Sequence, residues 1–129
     1  MTPTEEAKIE VTLDEGKMSI KAFMPVWERK SSSNDGQTYI QIPLLGLETY
    51  GRGEKDIDMA IREAIAAFCV VAIRHGKGID KELQLLGWEA TSRRVMKHRI
   101  IMKVAPKAPI FSGVLETGSK RAFNFQQAV

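Results

Sequence analysis

The chain has 129 residues, 43% of them apolar and 27% charged, with a formal net charge of +3. That size and balance predict one globular domain with a core of its own, and no apolar run approaches the ~18 residues that a membrane span needs. A single cysteine, Cys69, excludes an intramolecular disulfide; with the polar, acidic residues 1–10 in place of a secretory leader, it predicts a reducing, cytoplasmic setting.

Residues 8–13 alternate, with Ile9, Val11 and Leu13 on one face. Asp14-Glu15-Gly16-Lys17 reads as a turn, and Met18, Ile20, Ala22 and Met24 alternate again, so residues 8–24 predict a β-hairpin. Pro25 has no N–H for a central ladder, and residues 26–28 extend the strand. Residues 29–37 form a polar loop with strong turn residues. A strand follows at 38–42, with Tyr39 on one face and Ile40 and Ile42 on the other, and a shorter one at 47–50.

Asp56 is the expected N-cap of a long helix, with Asp58 in its first turn. Ile57, Ile61, Ala64, Phe68, Val71 and Ala72 fall near one face. Ile65, Val70 and Ile73 widen that band enough to predict a largely buried helix. Gly76 and Gly78 end it. Residues 79–86 predict a short second helix, with Trp88 packing back on the core. A strand within 93–104, a Thr-Gly-Ser turn at 117–119 and a last strand at 122–126 complete an α+β reading: a small antiparallel sheet, one long helix across it and a short second helix, with extra C-terminal strands.

Charge divides this single domain into a body at 8–88 and a basic segment at 89–129. Residues 1–92 hold 11 Lys/Arg against 15 Asp/Glu, whereas 93–129 hold 8 against one. Two readings of the split stand: an arm for an anionic partner, or a basic end lying on its own acidic body. Arg93, Arg94, Lys97, His98 and Arg99 place five basic side chains in seven residues, with Lys103 close behind. These six are the candidate nucleic-acid or anion-binding residues, suited to phosphate contacts. No aromatic residue interleaves them, so the stacking signature of single-strand binders is missing from that cluster.

Other candidate chemistry has structural explanations. Cys69 lies in an apolar run that makes a thiol inert. His75 sits at a helix C-terminus, and His98 between two cations has no orienting acid. Two distant histidines and one cysteine do not make a metal site. Gly51-Arg52-Gly53-Glu54-Lys55 lacks the spacing of a phosphate loop. Nothing pairs a nucleophile with a base, so the expectation is a non-enzymatic protein without a cofactor.

Residues 39–68 carry an aromatic-led strand, the turn Ile42-Pro43-Leu44-Leu45-Gly46, then Thr49-Tyr50-Gly51, then a helix with Ala60, Glu63, Ala64 and Ala67. This arrangement resembles the HicB-like antitoxin family, and the resemblance extends over residues 18–75 but not into the C-terminal part. It implies a degenerate RNase H-like or double-stranded-RNA-binding-like body. It also implies a role in sequestering a small basic ribonuclease toxin similar to HicA. The alternatives are an accessory protein of phage or mobile-element origin that binds DNA or RNA through 93–103, and a homo-oligomeric scaffold pairing through open edges at 9–13 or 122–126.

Overall fold

The computed structural model describes residues 7–31, 35–90, 99–104 and 117–128. Strands β1 (Lys8–Asp14) and β2 (Lys17–Lys30) form the hairpin that the alternation predicts, in register from Lys8 opposite Phe23 to Asp14 opposite Lys17. β3 (Gln37–Ile42) leads through one 3₁₀ turn, Pro43–Leu45, into β4 (Leu47–Arg52). Helix α1 (Glu54–Arg74) and the short α2 (Ile79–Leu85) follow, then β5 (Trp88–Ala90), β6 (Arg99–Val104) and β7 (Ser119–Ala128).

The fold is α+β. One antiparallel sheet of seven strands runs in the order β4-β3-β2-β1-β6-β5, and β7 pairs with β2 over ten residues. Residues 9–13 are therefore not an edge: β1 lies between β2 and β6. Long β2 serves two sets of partners. Its pairing with β1 ends at Phe23 and its pairing with β3 begins at Trp27. Pro25, which has no N–H to donate, sits in the gap between them.

Both helices lie on one face of the sheet. Ile9, Val11, Met18, Ile20, Met24, Val26, Ile40 and Ile42 point there and are at most 1% exposed. Burying each such side chain is worth about 1.5–3 kcal/mol against leaving it in water. β7 contributes to the same face, because residues directly opposite across a ladder share a side. Phe123 stands opposite Ala22 and Phe125 opposite Ile20, and the Arg62 guanidinium of α1 lies 5.9 Å from the Phe125 ring centre.

Two details of α1, its cap and its core stripe, differ from the sequence reading. Asp56 is not the N-cap. α1 starts three residues earlier, from Gly53 at φ 79°, a backbone conformation suited to glycine. The Asp56 Oδ2 instead accepts the N–H of Arg52 at 2.8 Å, reaching back from the first turn. Gly51 lets α1 come close to β4, since a Cβ there would lie 2.9 Å from the Ile57 nitrogen. Finally, the core stripe of α1 is Ile57, Ile61, Ile65, Cys69 and Ala72, while Val71 is 56% exposed. Helix α1 packs closely on β4, the end strand of the order, so one flank of its wide apolar band reaches past the sheet.

Candidate functional site

That flank builds the first site. Ala64, Ala67, Phe68 and Val71 on α1 face Leu47 on β4, and the His75–Gly76 end of the helix closes an open groove of about 580 Å³. Its two carboxylates are Glu48 and Glu82. Each already holds a partner: Glu48 accepts the Gln41 amide at 3.1 Å, and Glu82 accepts the Lys77 N–H at 3.1 Å. The groove is thus apolar at its floor and acidic at its rim. It runs beside β4, which among the described residues pairs only with β3.

Cys69 is buried on the opposite flank of the same helix turn, and burial pushes its thiol up to about 12. It packs in the core and presents no thiolate. His75 is the C-cap of α1, its N–H bonded to the Val71 carbonyl at 2.8 Å.

The basic C-terminal residues divide. Arg93, Arg94, Lys97 and His98 lie outside the described residues. Arg99 opens β6 and pairs with Glu10 on β1, its Nε 2.7 Å from Oε1. Lys103 is in register with Lys8 and with Glu89. On β7, Arg121 stands opposite Met24 on the helix side of the sheet and bridges Glu28 of β2 to Glu54 in the first turn of α1. The hydrogen bond and charge of Arg121 hold the Glu54 carboxyl below its ordinary range, and the same bond keeps the guanidinium more firmly protonated. Two cations of the basic segment are thus docked on acids of the body.

Among the described residues, no group of three or more His, Cys, Asp or Glu is placed to hold a metal ion, and no helix is long and apolar enough to cross a membrane. The groove was the part least visible in the sequence. Its signal was the excess width of the apolar band, which a buried helix explained equally well. Comparisons with family models, with characterised proteins and with solved structures found no match to this chain.

Proposed function

We propose that the chain is a non-enzymatic binding protein of the HicB antitoxin type, which holds a small basic protein, a ribonuclease toxin in that reading, in the groove between α1 and β4. The observation that carries the reading is the uncovered second stripe of α1, with Phe68 and Val71 exposed or half-buried beside the carboxylates of Glu48 and Glu82. An apolar floor rewards burial of a partner's side chains. The acidic rim selects a basic partner and speeds its approach. The resemblance over residues 18–75 supports the same direction, and the lone buried thiol suits a cytoplasmic protein.

The second reading, an accessory nucleic-acid-binding protein working through 93–103, is weakened at Arg99, which already holds Glu10. The test is affinity purification of the full chain from its native cells alongside Val71→Asp. A carboxylate at an exposed position leaves the fold intact but is buried unpaired when the groove is filled. The expected result is a small, basic, stoichiometric protein captured by the wild type and lost from Val71→Asp. The absence of such a protein, or its equal capture by the variant, overturns the proposal.

A further inference from the structure

The sheet face turned away from the helices has a different chemistry from the groove. Cross-strand register sets its rows. Arg29, Tyr39 and Tyr50 stand side by side on β2, β3 and β4, and Trp27, Gln41 and Glu48 form the next row. Trp27, Tyr39 and Tyr50 are 39%, 44% and 62% exposed. A well-packed protein exposes isolated aromatics, but here three lie within two adjacent rows. The Arg29 guanidinium lies 5.8 Å from the Tyr39 ring centre, a cation already set beside a ring.

The outward positions of β3 and β4 are Gln37, Tyr39, Gln41, Glu48, Tyr50 and Arg52. They include no aliphatic side chain, unlike the floor of the groove. Further along the same face, β2 presents Lys17 and Lys21, and β1 presents Lys8. With Arg29, Arg52 and Lys120 of β7, opposite Pro25, that makes six exposed cations among the described residues, Arg99 aside. Among the described residues, the exposed acids of this face are Asp14, Glu48 and, toward its β5 end, Glu89, while Glu10 and Arg99 occupy each other.

We propose that this face binds single-stranded nucleic acid: bases stack on Tyr39, Tyr50 and Trp27, Arg29 and Arg52 meet the phosphates, and Gln37 and Gln41 offer amides to base edges. Flat rings in a row take any base on its π-face, and interspersed cations track the backbone. Three strands spaced about 4.8 Å apart give a platform about 10 Å across, enough for two or three nucleotides. Duplex is excluded as the ligand because its bases are already stacked on each other. Glu48 opposes the phosphates and tempers affinity. The site shares Glu48, on the edge strand β4, with the rim of the groove; the rings and cations it uses lie on the other side of the sheet from α1.

The experiment is fluorescence anisotropy of the full chain with labelled dodecamers of uridine and of thymidine, at about 50 mM salt and above. The expected result is saturable binding to one or both, with the ratio telling RNA from DNA, and little binding to a duplex of the same length. Tyr39→Ala should weaken it by about fivefold or more, Tyr50→Ala similarly, and Tyr39→Phe should hardly change it. Arg29→Ala should lower the salt slope by about one, and Glu48→Gln should tighten binding. Circular dichroism of each variant reads the fold separately. No saturable binding at low salt overturns the proposal, as does equal binding by the Tyr39→Ala/Tyr50→Ala double variant, or equal binding of duplex. Self-association that the double variant abolishes would assign the face to a second copy of the chain instead. Binding is read on the chain alone, so failure here leaves the groove proposal standing.

Discussion

The indole N–H of Trp88 donates to the backbone carbonyl of Leu44 at 2.8 Å, and both residues are buried. The bond ties the first residue of β5, at one end of the sheet order, to the 3₁₀ turn that joins β3 to β4 at the other. It therefore fixes the turn from which β4, one wall of the groove, departs. Trp88→Phe keeps most of the ring but leaves the Leu44 carbonyl buried without a donor. The expected loss is about 1–3 kcal/mol, seen as a lower urea midpoint with an unchanged slope.

Gly51 sets how closely α1 approaches β4. A methyl group there would press on the Ile57 backbone, and backbone in a helix cannot swing aside as a side-chain tip can. Gly51→Ala should destabilise by about 1–3 kcal/mol through this overpacking. A thermal melt no lower than that of the wild type would show that the helix has room to shift.

The Glu54–Arg121 pair gives stability a defined pH dependence. Glu54 is depressed below its ordinary 4.5 in the folded chain, first by the hydrogen bond from Arg121 and then by its charge. A carboxyl lowered on folding stabilises the native state above its unfolded value, and that stability is lost as pH falls through the folded value. The difference between wild type and Glu54→Gln should therefore be full at neutral pH, shrink below 4.5 and vanish in stronger acid. Because Glu54 is exposed, added salt should shrink it as well. Urea midpoints across this range provide the measurement, and a difference that does not change with pH would remove the pair as its cause.

Cys69 is fully buried, with its thiol raised by desolvation from 9.0 to about 12. Ellman's reagent should leave the native chain untouched at mildly alkaline pH and react once urea unfolds it. The raised value also has a sign in stability. The contribution is intact below 9.0 and is lost as pH rises toward 12, because the unfolded chain gives up its proton first. In Cys69→Ala, this part of the alkaline destabilisation should be missing.

The sequence by itself determined the local elements. The alternation of Ile9 and Val11, then of Met18, Ile20 and Ala22, marked the hairpin. Its turn at Glu15-Gly16 has positive φ at both residues, the conformation such a two-residue connection demands. The α1–α2 pair, the inward Trp88 and the outward Tyr39 were legible for the same reason: period and turn chemistry act within a few residues. The first residue of α1 was not, since Asp56 serves equally well as a cap or as a side chain reaching back to Arg52.

Only the tertiary structure decided which elements meet. β7 runs along β2 about a hundred residues away in the chain, and β6 lies between β1 and β5. No local pattern encodes such pairings, because a strand's alternation says which face is buried but not which neighbour covers its edge. Pairing of the tail with the body in turn decided that Arg99 and Arg121 hold Glu10, Glu28 and Glu54. It also decided the two surfaces. Helix α1 packs on β4, the end strand of the order, which leaves Phe68 and Val71 beyond the sheet to line a groove. Cross-strand register alone gathers Trp27, Tyr39 and Tyr50, scattered over twenty-odd residues, into one aromatic patch.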